Sequence, residues 1–286
     1  MKKNTTFEPV LAISAGEEFN LVLKETGEVE AWGARNTLME AMGPDHGQTD
    51  VPDGLSDVIA IAAGGSHSIA LKSEGSLAIW GWNRHKQSSI PSVLKKVIAI
   101  SGGGLHTLVL LEDSTVIGWG DNSKGQCDIP SNLPRISAIS AGDYFSMALG
   151  INGNVYIWGN LENDSSFTDI IAIAAGASHT LVLKKNGTVL AAGYDGYGQT
   201  IVPSNLKNVT SITAGRYHSA ALLSDSTIVA WGRNDFGQTT IPADLENIIA
   251  ISAGDEHTMA LKSNGSVVCW GSNDRHQRDV PEQFKQ

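Results

Sequence analysis

The chain is predicted to be all-β, a seven-bladed β-propeller of four-stranded antiparallel blades. Three observations predict it: a glycine recurring seven times, a tryptophan-glycine pair at a fixed distance after it, and short β-branched runs between tight turns. The glycines stand at 16, 64, 103, 142, 176, 215 and 254, spaced 48, 39, 39, 34, 39 and 39 residues apart. Sixteen residues after them come Trp32, Trp80, Trp119, Trp158, Ala192, Trp231 and Trp270, each followed by glycine. Three residues after the first glycine stands His67, His106, His179, His218 or His257, with Phe19 and Phe145 in the first and fourth copies. Proline closes six copies, at 52, 91, 130, 203, 242 and 281. The copies span about 9–56, 57–95, 96–134, 135–168, 169–207, 208–246 and 247–286 after an N-terminal segment 1–8, which makes residues 9–286 one ring.

The second copy shows why each element is assigned. Val58–Ala62 is short, apolar and β-branched, and predicts a first strand ending at Gly64. Ser68–Lys72 and Leu77–Trp80 predict a hairpin around Glu74-Gly75, and other copies place Asn-Gly at that turn (Asn152-Gly153, Asn186-Gly187, Asn264-Gly265). Such pairs supply the positive φ a tight hairpin needs. A fourth strand is expected through the Gln-Thr-x-Val/Ile-Pro segment, on an outer edge that tolerates proline's missing N–H. A β-solenoid is the alternative, and the hairpin turns disfavour it.

Composition narrows the function classes. The chain has 286 residues, 20 Lys plus Arg against 30 Asp plus Glu, a net charge of −10 and 41% hydrophobic residues. That excludes a disordered chain and makes nucleic acid a poor partner. No apolar stretch approaches a membrane span, and the basic start Met1-Lys2-Lys3 lacks the apolar run of a cleaved signal peptide. The location expected is cytoplasmic, or a host cell reached without such a peptide. Cys127 and Cys269 occupy different repeat positions and are expected as reduced thiols. Nucleotide-binding, zinc-protease and serine-hydrolase motifs are absent, so neither a catalytic residue, a cofactor nor a metal is predicted. The repeated histidines and tryptophans are assigned to blade packing, and Ala192 is expected to need neighbours that fill an indole's place.

The pattern Ala-Gly-x-x-His-Ser/Thr, then Gly, then Trp-Gly, clearest over Ala63–Gly81, Ala214–Gly232 and Ala253–Gly271, resembles the regulator of chromosome condensation repeat family. The tryptophan precedes glycine, where a WD repeat has aspartate. Compact endings such as Gly237-Gln238-Thr239-Thr240-Ile241-Pro242 are similar to the bacterial branch that includes propeller-type β-lactamase inhibitor proteins. The resemblance covers roughly residues 9–286.

Function is expected where the copies differ. The first and third loops of each blade share one face. The first loop carries Glu17, Glu18, Asp143, Tyr144, Arg216, Tyr217, Asp255 and Glu256; the third carries Trp82, Arg84, His85, Lys86, Tyr194, Tyr197, Arg233, Phe236, Arg275 and His276, of which Trp82, Arg84, Tyr194, Tyr197 and Phe236 are taken as site residues. Ring closure should join Glu17 and Glu18 to Asp255 and Glu256 as an acidic patch for a basic partner. Copy one holds an insertion of nine residues, with Leu38, Met39 and Met42 as contact residues. Copy four is five residues short, which should notch the rim. Together these predict a monomeric, non-enzymatic protein-binding propeller. The family resemblance implies a regulator of a Ran- or Rab-type small GTPase, of the guanine nucleotide exchange factor kind, as in a bacterial effector. The alternative it implies is an inhibitor capping an enzyme active site, such as a class A β-lactamase.

Overall fold

A computed structural model describes residues 6–34, 46–92, 94–161 and 167–286. Seven three-stranded antiparallel sheets succeed one another along the chain. In blade two the inner, middle and outer strands are Val58–Ala63, His67–Lys72 and Leu77–Gly81. The other inner strands are Val10–Ala15, Val97–Gly102, Ile136–Ala141, Ile170–Ala175, Val209–Ala214 and Ile248–Ala253. They neighbour one another in cyclic order, the last against the first, so the ring closes. The middle strands form the core because both their faces meet a neighbouring blade: Leu21, Leu23, Ile69, Leu71, Leu108 and Leu181 are all buried. Each such side chain contributes about 1.5–3 kcal/mol by leaving water.

The expected four-stranded blade is corrected to three. Among the described residues, the Gln-to-Pro segment that six of the copies carry pairs with no strand of its own blade; it crosses to the next one. Its glutamine carbonyl accepts two hydrogen bonds there. Gln87 O takes the Trp119 indole N–H at 3.0 Å and the Thr107 hydroxyl at 2.9 Å. Gln48, Gln126, Gln199 and Gln238 do the same for Trp80 and Ser68, Trp158 and Ser146, Trp231 and Ser219, and Trp270 and Thr258. Each glutamine side chain also accepts the backbone N–H two residues before it, which fixes its own turn. With those groups committed and no N–H on the proline, the segment cannot form a ladder.

The repeated histidines join this relay. His67 Nε2 lies 3.0 Å from Thr107 Oγ1, His106 Nε2 lies 2.9 Å from Ser146 Oγ, and His179 and His218 repeat the contact with Ser219 and Thr258. Since each hydroxyl donates to a glutamine carbonyl, it accepts from the histidine, which assigns a neutral Nε2–H tautomer. Burial agrees, lowering the histidines to about 3 for His67 and His218 and about 4 for His106, His179 and His257. The target is the next blade's middle strand. At closure Asn20 replaces the hydroxyl: its Oδ1 accepts from His257 at 2.8 Å and its Nδ2 donates to Gln277 O at 2.7 Å. Trp32 donates to the same carbonyl at 3.1 Å, and Phe284 packs on the Trp32 ring. The C-terminal segment therefore completes blade one.

Two further devices hold the inner ring. A Cβ on Gly64 would fall inside the His67 ring and 2.7 Å from the Gly103 carbonyl of the next blade, so only glycine fits. At five of the seven junctions an inner-strand hydroxyl of one blade accepts the backbone N–H of an alanine in the next, as Ser14 does from Ala63 at 2.9 Å.

The junction between blades four and five lacks the relay. Copy four lacks the Gln-to-Pro pattern, and Ala192 stands where the tryptophan would be, so this junction has no indole to donate. Phe167 and Leu161 pack beside Ala192, Leu190 and Val182 and fill the space, as expected. With Phe145 in place of histidine as well, the buried Thr180 hydroxyl has no partner. The relay and its absence predict opposite outcomes for one chemical change. Thr107→Val strands the His67 N–H and should lower unfolding free energy in urea by about 1–3 kcal/mol. Thr180→Val removes an unpartnered hydroxyl and should be neutral or stabilising; equal losses from both would contradict this assignment.

Candidate functional site

The first loops gather at one mouth of the central channel, where seven inner strands converge. Glu17, Asp143, Arg216 and Asp255 line a cavity of about 70 Å³ there. Glu17 leans over Gly65 of blade two and Asp143 over Gly104 of blade three, space that those glycines provide. Burial raises the Glu17 pKa well above the carboxylate range, and the nearby Asp255 and Asp143 charges add to the shift. Burial likewise raises Asp143 and Asp255, with Arg216 opposing it.

The acidic patch expected at ring closure forms, but it is not an open patch. The Asp255 N–H donates to the Glu17 carbonyl at 3.2 Å, which joins blades seven and one. Three arginines then meet the carboxylates. Arg216 lies 2.9 Å from Asp255, Arg233 lies 2.9 Å from Glu256, and Arg275 lies 3.5 Å from Glu18. The pairing arises because each arginine sits on a neighbouring blade at the height of the acid. A basic partner would have to compete with these arginines.

The aromatic residues of blades five and six form one cluster. Tyr197 and Tyr217 ring centres are 4.9 Å apart, and Tyr194 lies 5.9 Å from Tyr217. Arg233 sits over Tyr197, Tyr217 and Phe236 at 5.2, 5.9 and 5.4 Å, and Arg216 lies 5.4 Å from the Tyr217 centre. Tyr144, Tyr194, Tyr197 and Phe236 remain 39–49% exposed. Arg233 was not among the predicted site residues, although it links the aromatic cluster to Glu256. Its signal was an arginine directly after Trp231-Gly232. Trp82 stands apart, in blade two, with its ring centre 3.9 Å from that of His46, and Arg84 is exposed in the same turn. Leu38, Met39 and Met42 lie outside the described residues.

The notch expected from the short copy four borders residues 162–166, which lie outside the described residues. A cleft of about 360 Å³ opens between blades four and five, lined by Tyr144, Phe145, Asn160, Leu161, Ala177, Ser178, Tyr194 and Tyr217. Asn160 and Leu161 are contributors that the predicted set had omitted. Among the described residues, histidine, cysteine and carboxylate side chains form no group able to hold a metal ion. Cys127 and Cys269 are free thiols whose pKa burial pushes up, to about 12 for Cys127. None of the described helices is long and apolar enough to cross a membrane.

The titrating groups predict opposing pH limbs. The neutral histidines stabilise the fold above their ordinary value of 6.5, and that contribution is lost as pH falls toward 3–4. Glu17 behaves oppositely: its contribution is present below its ordinary 4.5 and is lost as pH rises through its raised folded value. Urea midpoints should therefore fall on acidification in both wild type and Glu17→Gln, whereas the variant should lose less stability on the alkaline side. A steeper alkaline loss in the variant would show that Arg216 stabilises the Glu17 carboxylate instead.

Comparison with known proteins follows the same geometry. The family model for the regulator of chromosome condensation (RCC1) repeat matches residues 58–87, 97–126, 136–165, 170–199, 209–238 and 248–277. No curated protein sequence matches significantly. Among solved structures, the CRINKLY WD40 ectodomain of the Arabidopsis thaliana receptor kinase ACR4 is similar at 22% identity and TM-score 0.71, over 94% of this chain and 97% of that one. Yeast RCC1 (Prp20), solved with Kap60, is similar at 17% identity and TM-score 0.72, over 100% and 84%. Prp20p from Saccharomyces cerevisiae, described with its binding to Gsp1p and histones, gives 19% and 0.70 over 88% and 82%. At these identities the likeness speaks for the fold. Six matched repeats, each starting on an inner strand, show that the chain belongs to the regulator of chromosome condensation (RCC1) repeat family.

Proposed function

We propose that this protein is a non-enzymatic, protein-binding propeller that regulates a Ran- or Rab-type small GTPase by promoting nucleotide exchange. The observation behind it is the exposed aromatic–arginine cluster of Tyr194, Tyr197, Tyr217, Phe236, Arg216 and Arg233 on the loop face. Tyrosine and arginine dominate interface hot spots because they bury large areas at little entropic cost and retain hydrogen-bonding groups. The carboxylates that hold Arg233 and Arg216 fix both guanidinium groups before a partner arrives, which reduces the cost of ordering them on binding. The net charge of −10 favours a protein surface over a polyanion. An exchange factor works by binding the nucleotide-free GTPase more tightly than the loaded form. Family membership and the likeness to Prp20p support that choice of partner class. The same tyrosine-rich surface is also suited to capping an enzyme active site, which is the second reading.

The test is release of fluorescent GDP from purified Ran- and Rab-type GTPases. Wild type should accelerate release, and Arg233→Ala with Phe236→Ala should reduce the acceleration by about 30-fold or more, as expected for loss of a hot spot of about 2 kcal/mol. No acceleration of any GTPase would remove the exchange reading. Inhibition of a class A β-lactamase in a parallel assay would favour the capping reading.

A further inference from the structure

The residue just before each repeated glutamine has a left-handed backbone. In four copies it is a glycine, Gly47, Gly125, Gly198 or Gly237, at φ of 77–82°. Copies two and seven place Lys86 and His276 there, at 65° and 63°, where a Cβ crowds the carbonyl oxygen. Copy seven has a use for its side chain. Three residues on stands Asp279, whose carboxylate lies 2.6 Å from the His276 ring nitrogen. Copies one and three have aspartate at that point as well, Asp50 and Asp128. Copy two has Ser89, whose hydroxyl is engaged with the Asn83 side chain at 3.0 and 3.2 Å. Lys86 thus takes an unfavourable backbone conformation without an internal counter-charge, and such outliers cluster where ligands are held.

The side chains around it have the same character. Arg84, His85 and Lys86 are exposed in one turn, and Lys124 is exposed in the matching turn of blade three. The first turn reaches toward blade three: His85 Nδ1 lies 3.8 Å from Asp121, and Gln87 lies against Gly120. Asp121 is already held by Ser123 and Gln126. Among the described residues, Arg84, Lys86 and Lys124 reach no carboxylate, in contrast to Arg216, Arg233 and Arg275. We infer that this turn is a docking site for an acidic loop of a protein partner, whose carboxylates meet Lys86 and Arg84 while Lys124 flanks them. In a chain of net charge −10, unpaired cations on two adjacent turns supply the charge complementarity that selects and orients an acidic surface. These few cations do not suit a nucleic acid, which needs a run of phosphate contacts and would be repelled by the remaining surface. The site is separate from the aromatic cluster of blades five and six and does not depend on what that cluster binds.

Fluorescence anisotropy of a labelled hexaglutamate peptide, titrated with the full chain at low ionic strength, tests the site. Wild type should bind the peptide, and Arg84→Ala and Lys86→Gly should each weaken binding by about fivefold, the size of one exposed charge pair. Lys95→Ala removes a lysine that pairs with Asp113 at a hairpin turn of blade three, and it should leave binding unchanged. Lys86→Gly has a second readout. Restoring the glycine of the other copies relieves the backbone, so the urea midpoint should hold or rise while the affinity falls. A lysine kept for structure alone would show the reverse, a lower midpoint with unchanged affinity, and that result would overturn the inference. So would no binding by wild type, an equal loss from Lys95→Ala, or tighter binding of an oligothymidylate of the same charge. The readout needs no GTPase, so it can fail while nucleotide release still responds to Arg233→Ala, or succeed while no GTPase responds.

Discussion

Six of the seven blade junctions depend on one backbone carbonyl each. The carbonyl of the repeated glutamine receives an indole N–H and a hydroxyl or amide N–H from the following blade, at 2.7–3.1 Å. Apolar packing between blades is non-directional and tolerates sliding, so register falls to the hydrogen bonds that cross each junction. A two-donor acceptor buried away from water sets register, since an unmade bond at such a site costs more than a made one contributes. The histidine then ties a third blade element to the same hydroxyl. Because Gln277 and Asn20 carry the relay across the ends of the chain, the first and last blades meet by the same chemistry as the others.

The exception explains the asymmetry of the face. Copy four has neither the glutamine nor the histidine of the pattern, and the next blade has no indole to bond; Phe145 and Ala192 stand in their places. The histidine is dispensable by itself, since copy one has Phe19 there and still bonds Trp80 and Ser68 to Gln48, whereas a buried tryptophan without an acceptor would leave an unsatisfied N–H. The same local economy governs the channel mouth. Arginines on blades six and seven neutralise acids that closure would otherwise crowd together, and they stay in place to hold the aromatic rings.

Much of the ring was legible in the sequence. The glycine, histidine and tryptophan positions were visible because each is a side-chain identity repeated at a fixed offset, and Gly64 shows why no other residue fits. The Gln-to-Pro segment looked like a fourth strand because it alternates and ends in proline, as an edge strand does. What displaced that assignment was a carbonyl, which has no letter in a sequence. Ser14 and its counterparts were overlooked for a related reason: a small hydroxyl residue in a strand signals nothing until its partner across the junction is known. In the site, the gathering of Tyr194, Tyr197 and Tyr217 followed from loop position, and so did the meeting of Glu17 with Asp255. The approach of Asp143 to that pair did not, since blades one and four meet only at the channel mouth. Arg233 was visible as a variable loop residue, but its role was not, because Tyr197, Tyr217 and Glu256 come to it from other loops.

The central claim is that each blade junction but one is locked by an indole bonded to a glutamine carbonyl. Hydrogen exchange of the tryptophan indole protons, followed by NMR in the native protein, tests it most directly. Trp32, Trp80, Trp119, Trp158, Trp231 and Trp270 should exchange slowly and at similar rates, through an opening as costly as global unfolding, while the Trp82 indole, which makes no such bond, exchanges fast. Indole protons of those six that exchange as quickly as that of Trp82 would contradict the account.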